Sequence, residues 1–186
     1  MRTVIHMLAT LLIIGAISGG LIAGIFDVAH PKIVQNAQRE TERAIFVVHP
    51  EGKKQEKISG VAQEIYKVSD DKGNTVGYAM PCKGNGFQGV ITLMMGVSAD
   101  LKKITGISVI DQTETPGLGS EILNESFSGQ FKTVNPEPEI FGKKGAKETD
   151  NDIVTITGAT ISSKAVVRIV NEGMAAMRKL KKEGKI

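Results

Sequence analysis

Hydrophobic residues form one long run at the beginning of the chain. Residues 4–25 carry no charged side chain, and the run is about as long as a helix that crosses the roughly 30 Å hydrocarbon core of a bilayer. The alternative is a cleaved signal peptide, but Arg2 is the only basic residue before the run and no A-x-A cleavage site follows it. The pattern therefore predicts a retained transmembrane anchor over residues 1–26.

Helical spacing of apolar residues appears in two further stretches. Between residues 33 and 48 they recur every three or four positions after Pro31, which suits a first helical turn, and this predicts a stalk helix within residues 27–52. Near the end of the chain the same spacing predicts a long amphipathic helix with basic residues in its last turn. Ser162 or Ser163 is expected to cap its first turn with a hydroxyl. Its predicted buried positions are Ala165, Val166, Ile169, Val170, Met174, Met177 and Leu180.

Strand-like segments fill the middle of the chain and flank short polar turns, which predicts two β-hairpins. The predicted strands are residues 61–68, 76–82, 90–97, 104–110 and 153–156. Residues 53–57 are expected to be a solvated charged link, and residues 131–150 a loop. The predicted fold class is α+β, with a mostly antiparallel sheet and a long C-terminal helix packed on it in a domain over residues 53–186.

Charge and composition exclude several classes of protein. The net charge of +3 is weak and scattered, so a nucleic-acid-binding surface is not expected. The single cysteine, Cys82, cannot build a disulfide framework or a cysteine-ligated zinc or iron–sulfur centre. His6, His30 and His49 are far apart in sequence, so no metal or haem site is predicted.

The best candidate for chemistry is the segment 157–163, which joins a predicted strand to the long helix. The first turn of a helix offers unpaired backbone amides and a partial positive charge, and both favour a phosphate group. Gly158 and Ala159 leave space there. A simple capped strand-to-helix turn is the alternative interpretation. Asp152, Glu114 and Thr160 have no histidine or second carboxylate at motif spacing, so acid–base catalysis on a substrate is not predicted.

The sequence Thr157-Gly158-Ala159-Thr160 resembles the flavinylation motif of the FMN-binding domain in G subunits of Rnf-type ion-translocating ferredoxin:NAD oxidoreductases. In that family a flavin transferase joins the phosphate of FMN to the hydroxyl of the last Thr, which here is Thr160. The resemblance implies covalent FMN at Thr160, bordered by Thr157, Gly158, Ala159 and Ser162.

One position departs from the family pattern. Family members usually carry an Asp six residues before the modified Thr, and this chain has Val154 there. Asp152 lies two residues earlier, and whether it replaces the missing Asp in recognition by the transferase is left open.

A second segment, residues 114–121, also resembles the family. On its own it is a Pro-Gly turn with Ser120 as a helix cap. In the family this segment lies beside the flavin, which implies that Glu114, Thr115 and Leu118 border the FMN. The glycine-rich loop 83–89 resembles the family too, although it lacks the spacing of a dinucleotide-binding fingerprint.

The resemblance implies an electron-carrying flavoprotein subunit that is not a complete catalyst by itself. Sister subunits would pass electrons between ferredoxin and NAD while sodium ions or protons cross the membrane. A single-pass protein of the cell (inner) membrane is expected, with a cytoplasmic N-terminus marked by Arg2 and the FMN domain on the extracytoplasmic side. The alternatives are the C subunit of a sodium-translocating NADH:quinone reductase, a membrane-anchored scaffold without redox activity, and a free-standing extracellular flavin reductase.

Overall fold

The computed structural model describes residues 1–186, which divide into two compact units, Met1–Glu40 and Thr41–Ile186. Helix α1, Arg2–Val48, forms the first unit and contributes its last turns to the second. It is the one helix long and apolar enough to cross a membrane: its most apolar stretch has a mean hydropathy of 2.2, and none of that stretch is buried. A signal sequence meets the same criterion. The finer division into an anchor (1–26), a stalk (27–52) and a domain (53–186) stays a prediction.

The second unit is built on a five-stranded antiparallel sheet whose strands are neighbours in chain order, as short connections between hairpins require. The strands are β1 (Lys54–Lys57), β2 (Tyr66–Ser69), β3 (Thr75–Asn85), β4 (Val90–Ser98) and β5 (Ile104–Asp111). A short helix α2 (Glu125–Ser128) lies between two 3₁₀ turns, Gly119–Leu123 and Gly129–Lys132. Two short parallel strands, β6 (Phe141–Lys143) and β7 (Asp152–Val154), precede the last helix, α3 (Thr160–Lys182).

Each face of the sheet packs on a helix. Alternate residues of β3, β4 and β5 face α3, whose apolar stripe completes the larger core. The opposite face, with Val68, Ala79 and Met94, packs against Ala44, Ile45 and Val48 at the end of α1 in a smaller core. The predicted α+β class and the packing of the long C-terminal helix on the sheet are confirmed.

Three segments differ from the sequence-based expectation. Of the predicted strand 61–68 only residues 66–68 belong to β2, and residues 61–65 lie in a loop closed by the hydrogen bond from the Ile58 amide to the Ile65 carbonyl. Residues 54–57, expected to be a link, form the edge strand β1 because the antiparallel backbone ladder to β2 needs no apolar side chains, and charged side chains suit an edge. The expected loop 131–150 contains β6, which pairs with β7 in a three-residue ladder. The two missed strands have one cause: these pairings depend on backbone hydrogen bonds, which leave no apolar period in the sequence.

His49 is a buried residue directly after α1 and is only 1 % exposed. Its Nε2 lies 3.0 Å from the carbonyl oxygen of Tyr78, to which a neutral imidazole donates, and 3.5 Å from Oγ1 of Thr105. A Cβ at position 77 would lie 2.5 Å from Cε1 of His49, so Gly77 makes room for the ring. Burial lowers the pKa of His49, and the opposing effect of the Tyr78 carbonyl is smaller.

This lowered pKa predicts that the domain loses stability in mild acid. As pH falls through the unfolded pKa of about 6.5, the unfolded chain binds a proton that the folded imidazole does not bind, so the free energy of unfolding decreases below about pH 7. Urea unfolding of the full chain in detergent, followed by protease resistance of the domain, measures it. In His49→Gln the dependence in this window is expected to disappear; an unchanged slope in that variant would contradict the assignment.

Candidate functional site

The N-terminal end of α3 presents unpaired backbone donors. Gly158 turns the chain into the helix with a φ of 83°, a conformation that favours glycine. The first helical hydrogen bond runs from the Ser163 amide to the Ala159 carbonyl at 3.0 Å, so the amides of residues 160–162 precede it. Ala159, at the N-cap, gives no side-chain hydrogen bond. The amides and the positive end of the helix dipole are therefore available to an anion at Thr160.

The prediction that Ser162 or Ser163 caps the helix is wrong: the N-cap is Ala159, the Ser163 hydroxyl is bound within its own strand-to-helix turn, and the Ser162 hydroxyl is bound by a distant carboxylate. Oγ of Ser163 accepts a hydrogen bond from the Ile156 amide at 3.0 Å and donates to the Ala159 carbonyl at 2.9 Å. The hydroxyl of Ser162 donates to Oε2 of Glu114. These contacts leave the amides of the first turn without a competing side chain.

Glu114 joins three segments of the chain through its carboxylate. Oε1 accepts hydrogen bonds from the amides of Phe87 at 2.8 Å and Gln88 at 3.1 Å, while Oε2 accepts the Ser162 hydroxyl. The side chain is 4 % exposed. A Cβ at Gly119 would lie 2.6 Å from Oε2, so only glycine lets the 114–121 turn close over the carboxylate.

Hydrogen bonding keeps this carboxylate ionised. Burial acts to raise the pKa of Glu114, but the bonds from Ser162, Gln88 and Phe87 together outweigh burial, so the pKa lies below its ordinary value. A buried carboxylate that accepts three hydrogen bonds from its own chain serves as a structural anion.

The glycine-rich loop between β3 and β4 is held from a second side by α3. Nη2 of Arg168 donates to the Asn85 carbonyl at 2.7 Å, and Nη1 pairs with Glu172 at 3.3 Å. Sequence reasoning missed these contacts and those of the Phe87 and Gln88 amides, because backbone groups leave no side-chain signature. The density of glycines in residues 84–89 is the sequence signal that could have indicated close backbone contacts in this loop.

The two motifs that resemble the flavin-binding family meet in space. The Glu114–Ser162 hydrogen bond joins them, and a Cβ at Gly158 would lie 3.1 Å from Cδ2 of Leu118. The structure thus brings Glu114 and Leu118 of the first motif against Gly158 and Ser162 of the second. Thr160 lies between Gly158 and Ser162 in the same turn and is half-buried.

The other predicted site residues take separate places around this junction. Oγ1 of Thr115 accepts a hydrogen bond from Nε2 of Gln88 at 3.3 Å, so Thr115 faces the glycine loop. Ala159 is buried at the N-cap, and Thr157 is exposed. The hydroxyls of Thr157 and Thr160 form no hydrogen bond within the chain.

Val154 and Asp152, where the family pattern is broken, both have structural contacts. The backbone of Val154 donates to Oε1 of Gln130 at 2.8 Å and accepts from its Nε2 at 3.2 Å. The buried carboxylate of Asp152 accepts the amides of Glu148 at 3.0 Å and Thr149 at 2.8 Å. Although burial acts to raise it, these bonds bring the pKa of Asp152 below its ordinary value. Asp152 therefore fixes the loop before β7.

Exposed apolar side chains flank the junction of the two motifs. Phe87 is 60 % exposed, Leu118 47 % and Ile161 59 %, and each belongs to a segment that Glu114 or Gly158 joins to the junction. A helix terminus beside exposed apolar surface suits a ligand with an anionic end and a flat apolar body. In residues 1–186 no three His, Cys, Asp or Glu side chains converge in an arrangement that could bind a metal ion.

Comparison with known proteins identifies related families. The family model of an FMN-binding domain matches residues 86–175, which include residues 86–89 of the glycine loop, both motifs and most of α3. The chain is 30 % identical over 174 residues to the G subunit of the ion-translocating oxidoreductase complex of Methanosarcina acetivorans, covering 89 % of this chain and 90 % of that protein. It is 33 % identical to the G subunit of the proton-translocating ferredoxin:NAD(+) oxidoreductase complex of Clostridium ljungdahlii, covering 85 % and 83 %.

A solved structure shares the fold. The C subunit of the Na(+)-translocating NADH-quinone reductase of Parabacteroides distasonis superposes with a TM-score of 0.59 at 21 % identity, over 75 % of this chain and 90 % of that one. The G subunits of Methanosarcina acetivorans and Clostridium ljungdahlii, by contrast, match in sequence over 90 % and 83 % of their own length. This chain therefore belongs to the family of G subunits of ion-translocating oxidoreductase complexes.

Proposed function

We propose that this chain is an electron-transfer subunit that carries FMN, joined by a phosphoester to the hydroxyl of Thr160, in a membrane complex. The complex would couple electron transfer between ferredoxin and NAD to the translocation of sodium ions or protons. The relative from Clostridium ljungdahlii, a G subunit whose name describes such an activity, supports this proposal.

The N-terminal end of α3 carries the proposal. Thr160 is the first residue of the helix, its hydroxyl is free, and the amides of residues 160–162 precede the first helical hydrogen bond. These amides can donate to the anionic oxygens of a phosphate held on Thr160, and the helix dipole favours the same charge. Gly158, with no side chain, keeps the approach open.

The surroundings of Thr160 fit the rest of the cofactor. Exposed Leu118 and Ile161 offer apolar surface to a flat ring, and Phe87 offers an aromatic side chain from the glycine loop. Glu114 holds the three segments in register and prevents the loop and the turn from separating. When bound, FMN supplies a carrier of one or two electrons.

The proposal includes a location and partners. Helix α1 would anchor the chain in the membrane, with Arg2 on the cytoplasmic side and the FMN-binding domain on the extracytoplasmic side. A flavin transferase would be needed to form the phosphoester, and sister subunits would donate and accept electrons. A covalent link suits such a position, since it prevents loss of the cofactor to the medium.

The attachment site predicts the outcome of two substitutions at Thr160. We expect Thr160→Val, which keeps the shape and removes the hydroxyl, to abolish covalent flavin, whereas Thr160→Ser retains it. The full chain is co-expressed with a flavin transferase, and intact mass, peptide mapping and in-gel flavin fluorescence are measured.

Thr75→Val is the matched control, because it removes the same hydroxyl from a half-buried threonine at the start of β3, outside both motifs. This variant is expected to carry flavin at the level of the unmodified sequence. Covalent flavin on Thr160→Val, or its loss only in Thr75→Val, would contradict the assignment. No flavin on any variant would favour a scaffold without redox activity.

A second prediction concerns Glu114. Replacing a buried, hydrogen-bonded carboxylate should cost about 1.5–3 kcal/mol in Glu114→Gln, and more in Glu114→Ala, which leaves buried donors without an acceptor. The folded pKa is depressed, so this stabilisation is present above the unfolded pKa of about 4.5 and is lost as pH falls below it. Urea unfolding measures both effects.

Glu56→Gln serves as the control for Glu114, since Glu56 is exposed on β1. Its effect on the free energy of unfolding should stay within about 0.5 kcal/mol. We also expect Glu114→Gln to reduce the yield of flavin at Thr160, because the glycine loop and the 114–121 turn lose their common acceptor. Full stability in Glu114→Ala would show that this carboxylate does not hold the site together.

A further inference from the structure

Strand β3 extends beyond its neighbour β2 and leaves part of the sheet edge unpaired. The β2–β3 ladder ends at the pair Tyr66–Ala79, whereas β3 continues to Asn85 and stays paired with β4 up to that residue. Residues 80–85 therefore have a partner strand on one side only. The segment before Tyr66 does not continue along this edge. It forms the loop 59–64, which is closed where the Ile58 amide donates to the Ile65 carbonyl at 2.8 Å.

The pairing pattern shows which backbone groups point outward. The hairpin closes with a hydrogen bond from the Gly86 amide to the Gly89 carbonyl at 2.6 Å, so even-numbered residues of β3 bond to β4 and odd-numbered residues face away. Pro81, which has no N–H, falls in the outward set, as this pattern requires. The outward groups past Ala79 are the carbonyl of Pro81, the amide and carbonyl of Lys83, and the amide of Asn85.

A cavity of about 560 Å³ lies along this edge. Residues 62–64 form one side, Met80 and Cys82 line it from β3, and Ile169 and Gly173 line it from α3. Pro81, Lys83 and Thr92 border it as well, so it reaches both faces of the strand. Side chains of an added strand would thus alternate between an apolar pocket and a polar rim.

We propose that this open edge of β3 binds an extended segment of another subunit by strand addition. The segment would pair with the odd-numbered residues of β3 and place an apolar side chain against Met80, Cys82 and Gly173. Exposed sheet edges beside a groove are a common mode of peptide recognition, in which backbone bonds give affinity and alternate pockets give specificity. The same edge ends at Asn85, whose carbonyl Arg168 binds, so the partner would lie next to the glycine loop.

This inference rests on the proposed membership of the chain in a multisubunit complex, but it does not depend on FMN. The test is residue-resolved hydrogen exchange of the full-length chain in detergent, compared with the same chain in a purified complex. We expect the amides of Lys83 and Asn85 to exchange at least about tenfold more slowly in the complex. The amides of Cys82 and Gly84, which bond to β4, are the internal control and should be protected in both states.

A pair of tryptophan substitutions tests the groove directly. Ala62→Trp would fill the groove from its exposed side, whereas Ala99→Trp adds the same bulk at the exposed tip of the β4–β5 turn. Only Ala62→Trp should reduce the recovery of sister subunits with the tagged chain, by about fivefold or more.

The outcomes are distinct. Protection of Lys83 and Asn85 in the complex, with loss of subunits in Ala62→Trp, supports strand addition. An assembled complex in which both amides exchange as in the isolated chain, or protection that appears by self-association alone, overturns it and leaves the proposed function intact. A chain that recovers no other subunit overturns both proposals.

Discussion

The buried carboxylate of Glu114 is the constraint on which the site depends. Its two oxygens accept hydrogen bonds from the glycine loop and from α3, while its own backbone belongs to the turn between β5 and the 3₁₀ segment. A buried anion without such donors would be costly, so the three segments must be in place together. The Ser162 hydroxyl is thereby bound to Glu114, and the amides at Thr160 remain open to a phosphate.

The two faces of the sheet that supports this site are covered to different extents. Helix α3 covers one face, and the end of α1 covers part of the other, with His49 buried beside Gly77. The β3–β4 hairpin projects past β2, and this projection carries the glycine loop at its tip. The projecting glycine loop and the unpaired edge are consequences of one feature, the unequal length of neighbouring strands. Redox contact and subunit contact would therefore be close together.

The elements that the sequence predicted well are those with a local apolar period. The hairpin β4–β5 and the helix α3 lie within a few residues of their predicted bounds, because burial on one face imposes a period of 2.0 or 3.6. Strands β1 and β6 were missed because charged residues and glycines can pair through their backbones without such a period. The predicted serine caps were wrong for a related reason: a buried partner, Glu114, competes for Ser162, and no local pattern contains that partner.

The sequence by itself determined the apolar N-terminal segment, the α+β class and the two motifs that identify the family, since each rests on residue types at short and fixed spacing. Only the tertiary structure decided what these motifs do to one another. It placed Glu114 between Phe87, Gln88 and Ser162, buried the Asp152 carboxylate against the loop that it holds, and left the edge of β3 that faces away from β4 unpaired past Ala79. The reason is physical: hydrogen bonds between backbone amides and a distant carboxylate, and the point at which a ladder ends, depend on how segments far apart in sequence pack together.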